Sequence, residues 1–177
     1  MIHLVTKLRF VGRRPPRLFV YAFIALCGAC DRPATFEGMV PTSFEIARKH
    51  PQTVRVIVTG GQETEAVGRP QIRDPDFALA LADSISKSQT FSKLIDGESK
   101  AADYLLTVTL FSMDKRVFGR TVKLEAGWTL RRASDGTVAW QESIVSEFTD
   151  FDVKLATEGA ARNNIAQGLA KISKLDL

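Results

Sequence analysis

Cysteine and histidine are almost missing from this chain. The two cysteines, Cys27 and Cys30, stand near the N-terminus, so no thiol occurs past residue 30. That leaves no material for a disulfide framework or a thiolate metal site in the rest of the chain. Past residue 30 the single histidine is His50, beside Pro51. A lone imidazole without neighbouring carboxylates or thiolates makes a poor metal site, so no metal is expected. Long apolar runs are missing too. Leu18 to Leu26 has nine apolar residues, against the roughly 20 that a helix needs to cross a bilayer. Acidic residues are absent from the first 29 positions, which hold Lys7, Arg9, Arg13, Arg14 and Arg17.

A short apolar run behind a cationic segment, with small residues after it, is the pattern of a secretory signal peptide. Residues 1–29 are therefore read as a cleaved leader. The reading changes the meaning of the +4 net charge. Five of the 24 Lys and Arg lie in the leader and none of the 20 Asp and Glu do, so the remainder carries 19 against 20. A chain with net charge −1 after cleavage gives no reason to expect a nucleic-acid partner.

Signs of catalysis are missing as well. No serine sits in a Gly-x-Ser-x-Gly elbow, and Gly60-Gly61 is followed by Gln62, Glu63, Thr64 and Glu65 rather than a phosphate-binding lysine. A six-residue apolar period, needed for a β-helical sugar acyltransferase, is not found. Asp150 and Asp152 form a close carboxylate pair, but they lie in a connection and are read as solvated. The chain is not expected to be an enzyme.

The residues just after the apolar run carry a more specific signal. Cys27-Gly28-Ala29-Cys30, with Leu26 upstream, resembles the lipobox of bacterial lipoproteins, although Cys27 stands where that family usually has leucine. The resemblance implies that Cys30 carries acyl and diacylglycerol lipid, that no other cofactor is bound, and that the chain is membrane-anchored in the cell envelope and faces the periplasm. Asp31 resembles a signal for retention in the inner membrane.

After Cys30, the segment Asp31 to Pro51 contains Pro33, Gly38, Pro41 and Pro51 and little periodicity. It is read as a tether, so residues 30–52 form the lipidated N-terminus and 53–177 a single globular domain. Phe36, Met39, Val40 and Phe44 could alternatively dock it on that domain.

The domain opens with a β-branched strand, Thr53 to Thr59, closed by Gly60-Gly61. Asp74 is the expected N-cap of a helix that runs to about Ser88, with Pro75 first inside it and Phe77, Leu81 and Ile85 on its apolar stripe. A short strand comes next at Phe91 to Ile95, then a central strand at Ala102 to Met113. Val122, Leu124, Ala126, Trp128 and Leu130 alternate with Lys123, Glu125, Gly127, Thr129 and Arg131, the period of a half-buried strand. A last strand places Val138, Trp140, Ile144 and Phe148 on one face. A three-residue loop with Gly136 left-handed pairs Leu130 with Trp140 and Val122 with Phe148, which keeps the apolar faces together. A helix from about Ala156 to Leu175 ends the chain, its stripe made of Ala161, Ile165, Leu169 and Ile172. The expected fold class is α+β: a two-layer α/β sandwich with a mainly antiparallel 4–5-stranded sheet and two helices on one face.

Two loops are candidate interaction sites. Gln62 to Arg73 carries Glu63, Arg69 and Arg73, and the hairpin tip Asp114 to Arg120 sets Lys115, Arg116 and Arg120 around Phe118. Cations flanking an aromatic tip suit anionic headgroups or a protein groove.

With its lipobox and element order, the chain is similar to small periplasmic envelope lipoproteins such as the lipopolysaccharide-assembly lipoprotein and transport-auxiliary lipoproteins. Ala102 to Leu106 (ADYLL), the Trp128 to Trp140 hairpin and Glu158 to Ile165 (EGAARNNI) resemble an uncharacterised proteobacterial lipoprotein family. The resemblance implies a non-enzymatic accessory that binds an envelope protein in assembly or transport. The alternative is a lipid- or glycolipid-handling module. Cys30→Ser should accumulate as an unprocessed form that migrates more slowly than wild type on a gel and no longer carries lipid. Unchanged migration and unchanged membrane association would show that Cys30 is not the lipidated residue.

Overall fold

The computed structural model describes residues 33–64, 71–97, 102–113 and 121–177. All of them lie in one compact unit, Asp31–Leu177. The leader and Cys30 lie outside the described residues. Five strands, β1 (His50–Thr59), β2 (Phe91–Leu94), β3 (Tyr104–Met113), β4 (Thr121–Arg132) and β5 (Val138–Thr149), form one sheet in the order β2-β1-β3-β4-β5. A short turn of helix, α1 (Phe36–Met39), and two long helices, α2 (Asp74–Ser88) and α3 (Val153–Ile172), complete the unit.

The two-layer α+β architecture is the expected one, with the long β3 at the centre of the sheet. The strand directions differ from expectation. β1 runs parallel to both β2 and β3, whereas β3–β4 and β4–β5 are antiparallel, so the sheet is mixed. The parallel half comes from the crossover: β1, α2 and β2 make a β-α-β unit, whose helix returns the chain to start β2 in the direction of β1.

The alternation of β4 appears as burial, with Val122, Leu124, Ala126, Trp128 and Leu130 buried and Lys123 and Arg131 exposed. The expected register holds: Leu130 pairs with Trp140 and Val122 with Phe148. Gly136 is left-handed, at φ +73°. The connection, however, is a four-residue loop, 133–136, closed by the Arg132 N–H on the Thr137 carbonyl at 2.8 Å. A bulge between Leu130 and Arg131 on one side and Val138 and Trp140 on the other restores the register. That extra residue turns Val138 out of the expected apolar face, leaving it exposed.

Both helices need small corrections at their starts. Arg73 is the N-cap of α2 and Asp74 its first helical residue. The Asp74 carboxylate instead accepts the Gly61 N–H at 2.6 Å, tying the helix to the end of β1. α3 begins at Val153, three residues before the expected start, because Asp152 caps it by accepting the Lys154 N–H at 2.7 Å. Asp152 is therefore a structural cap, and Asp150 accepts its N–H at 2.9 Å.

The tether expected over Asp31 to Pro51 is instead a docked strap from residue 33 onward. Ala34 and Met39 are fully buried, and Val40 nearly so. Thr35 donates from its backbone N–H and its hydroxyl to Glu158 Oε1, both at 2.9 Å. The Gly38 carbonyl accepts from Arg162 Nε and Nη2 at 3.1 and 2.9 Å. His50, expected in the tether, opens β1 and is buried, with Nε2 donating to the Ile172 carbonyl at 3.0 Å. Apolar side chains thus dock where polar partners on α3 satisfy the irregular backbone between them.

α3 lies close to the sheet because its inner face is made of small residues. Asn164 sits on that face, fully buried. Its Oδ1 accepts the Trp128 indole N–H at 2.9 Å, while its amide donates to the Ile144 carbonyl at 2.9 Å and to Ser146 Oγ at 3.2 Å. A Cβ at Gly168 would lie 2.6 Å from the Trp128 ring, and one at Gly159 would overlap the Phe148 ring. These two glycines are the places where aromatic rings meet the helix backbone. Gly168→Ala should therefore destabilise the protein, by about 1–3 kcal/mol from overpacking. That exceeds the gain in helix propensity, about 1 kcal/mol. Chemical denaturation beside Gln167→Ala, an exposed neighbour expected to be near neutral, gives the comparison.

Candidate functional site

The helices cover one sheet face, so a binding surface must come from the other face, the edges or the ends. The two edges differ. On β5, the Glu147 and Ile144 carbonyls accept from the side chains of Asn163 and Asn164. On the opposite side, β2 pairs only with the first half of β1, at His50, Thr53 and Val54. The last bond there runs from the Ile95 N–H to the Val54 carbonyl at 2.8 Å. Lateral backbone direction alternates along a strand, so Val56 and Val58 point the same way as Val54. Among the described residues no strand pairs with them there.

Beside this open half-edge runs a groove of about 910 Å³, between β1, α2 and the end of β2. Val56, Ile57, Ala78, Leu79, Leu94 and Ile95 line it. Leu79 is 53% exposed and Ile57 39%, values that place large apolar side chains in water beside unpaired backbone. An open edge next to apolar pockets is the arrangement that accepts an added strand.

A second concavity, about 600 Å³, lies at the end of the sheet where β3 starts and the β4–β5 hairpin closes. Arg55, Leu105 and Arg131 stand side by side on β1, β3 and β4. Directly opposed residues share a face, so the two arginines flank Leu105 on the face away from the helices. Arg132 and Tyr104 complete the wall, and hydrogen bonding by Tyr104, with the nearby Asp135 carboxylate, holds the Arg132 guanidinium further in its charged form. Asp103 also lines the pocket, but its Oδ2 is occupied by the Thr53 N–H and hydroxyl, both at 2.7 Å. Those Thr53 bonds hold its carboxyl below the usual range.

Most of the sequence-predicted site residues lie elsewhere. Cys30, Arg69, Lys115, Arg116, Phe118 and Arg120 are outside the described residues. Glu63 belongs to the 3₁₀ turn Gly61–Thr64, of which only its backbone is described. Arg73 is placed: it caps α2 and pairs with Asp76 at 2.6 Å, so its charge serves the first turn of the helix. Sequence reasoning put Arg131 on the wet face but missed its alignment with Arg55, because that row exists only once β1 is set parallel to β3. Among the described residues no three His, Cys, Asp or Glu side chains gather as a metal site. No described helix is long and apolar enough to cross a membrane.

No protein-family model and no curated protein matches the sequence. Solved structures do share the fold. A Xanthomonas campestris protein of the DUF330 family is 12% identical at a TM-score of 0.57, over 75% of this chain and 90% of that one. A hypothetical protein from Chlamydia trachomatis is 10% identical at 0.58, over 71% and 97%. PelC from Paraburkholderia phytofirmans, a dodecamer, is 15% identical at 0.53, over 75% and 95%. At such identities the likeness is one of fold.

The depressed Asp103 carboxyl has a consequence for acid stability. A carboxyl whose folded pKa lies below its unfolded value stabilises the fold above the ordinary carboxylate range and loses that effect as the pH falls through the folded value. Asp103→Asn should therefore flatten the fall in Tm below about pH 4, measured by thermal unfolding in a pH series.

Proposed function

We propose that this chain is a membrane-anchored, periplasm-facing lipoprotein and a non-enzymatic accessory in envelope assembly or transport, which works by binding a protein. The observation that carries the reading is the stretch of β1 at Val56 and Val58, with which no strand pairs on that side among the described residues, beside its apolar groove. A row of alternating N–H and C=O groups is complemented by another extended backbone, so the partner presents a strand-forming segment. Alternate apolar side chains of that segment would fill the space between Leu79 and Ile57. The lipobox resemblance at Cys30 supports the anchoring.

A photo-crosslinker at position 79, introduced in cells, tests the reading. It should yield a discrete protein adduct. Val56→Pro should abolish that adduct, because proline removes an N–H on the open side while leaving the bonds to β3 in place. Lipid adducts from position 79 would favour a lipid-handling module, and an adduct untouched by Val56→Pro would rule out strand addition.

A further inference from the structure

Among the described residues the most exposed large apolar side chain is Phe151, 82% accessible, in the turn between β5 and α3. Leu155, 46% exposed, follows in the first turn of α3. Residues three and four apart stand one above the other on a helix, so Leu155, Glu158 and Arg162 share one face. The polar groups beside them are engaged within the protein. Asp150 accepts the Asp152 N–H, Asp152 accepts the Lys154 and Leu155 N–H groups, and Lys154 pairs with Glu158 at 3.4 Å.

The strap shows on which side the bilayer lies. Thr35 is bonded to Glu158 and Gly38 to Arg162, so the strap runs along α3 in the helix's own direction. Its earlier residues are therefore the ones nearest the start of α3, where Leu155 and Phe151 stand. The Ala34 N–H adds a bond to the Gln71 carbonyl at 3.1 Å, just ahead of α2. β1 and β5 run the same way, so both long helices start at this one end of the sheet. The five residues from Thr35 back to Cys30 span at most about 18 Å. Leu155 lies only about 4.5 Å from Glu158 along the helix axis. A lipid on Cys30 thus decides which end of the domain faces the membrane.

We propose that Phe151 and Leu155 rest on a zwitterionic lipid surface, their side chains entering the boundary between headgroups and acyl chains. This contact presupposes the lipid on Cys30 proposed above. The carboxylates of Asp150 and Asp152 disfavour anionic headgroups at the same spot, so the contact is apolar rather than electrostatic in origin. A covalent anchor alone leaves the domain free to pivot, and a second contact beside it fixes the tilt.

The test uses the full chain, processed in a bacterial envelope, purified and reconstituted in phosphatidylcholine vesicles. Phe151→Trp places an indole at the contact, and Ser134→Trp places one in the β4–β5 loop at the far end of the sheet. Emission above that of the native Trp128 and Trp140 is compared between plain vesicles and vesicles of brominated phosphatidylcholine. Position 151 should lose at least half of its added emission to bromine, and position 134 none. Leu155→Asp combined with Phe151→Trp should restore the emission, because burying a carboxylate is costly. Its Tm should stay close to that of wild type, since an acidic residue suits the first turn of a helix. That separates loss of contact from loss of fold. Mass spectrometry of the same samples reads the lipid on Cys30. Chains without lipid would end the anchoring reading and this contact with it. Lipidated chains with no quenching at 151, equal quenching at 151 and 134, or quenching unaffected by Leu155→Asp would overturn the contact alone and leave the anchoring standing.

Discussion

The amide of Asn164 is buried on the inner face of the last helix, and it reaches two strands at once. It accepts from Trp128 on β4 and donates to the Ile144 carbonyl and Ser146 hydroxyl on β5. A buried amide without partners costs several kcal/mol, so only a helix registered to make all of these bonds is favourable. That register has consequences along the rest of Glu158 to Ile165. Gly159 falls against Phe148, the Ala160 carbonyl accepts from Ser146 at 2.8 Å, and Asn163 reaches Glu147. Glu158 and Arg162 are then turned toward the strap, and Arg162 also lies over the Phe148 ring, 5.9 Å from its centroid. The segment whose pattern resembled a lipoprotein family is thus a fastening device, built from packing and hydrogen-bonding contacts.

What could be read from the residues alone depended on local contrast. β4 alternates so regularly that its faces, its partner register with β5 and the left-handed Gly136 all derive from period two. The strap had no such signal. Its partners, Glu158 and Arg162, are more than 120 positions away, and its prolines and mixed polarity look like those of a free linker. Parallel pairing was equally hidden, because β1 and β3 are each apolar enough to fit either direction. With it went the row Arg55, Leu105 and Arg131, which no window of sequence contains. The charged loops that drew attention as sites are mostly outside the described residues, apart from Arg73, whose charge the first turn of α2 uses.

The sheet treats its two edges unequally. β5 receives side-chain hydrogen bonds from asparagines of α3 at Ile144 and Glu147 and carries the ion pairs Lys123–Glu147 and Lys171–Glu142. Charge and side-chain capping of this kind discourage pairing with a foreign strand. β1 has no comparable guard over its second half among the described residues. Among the described residues, then, one edge is guarded and half of the other is not, and the strand addition proposed above would be confined to one line and one short register.

The docked strap bears on geometry at a larger scale. A free coil of some 20 residues between lipid and domain would allow an r.m.s. separation of about 25 Å. With Ala34 already buried in the core, it stands only four positions from Cys30, and about four extended residues reach at most about 14 Å. If Cys30 carries the lipid, the domain is held against the bilayer on a leash shorter than its own diameter. Its search for a partner then becomes lateral diffusion in a plane, at a raised effective concentration. Whatever the domain meets must arrive at that same height above the membrane.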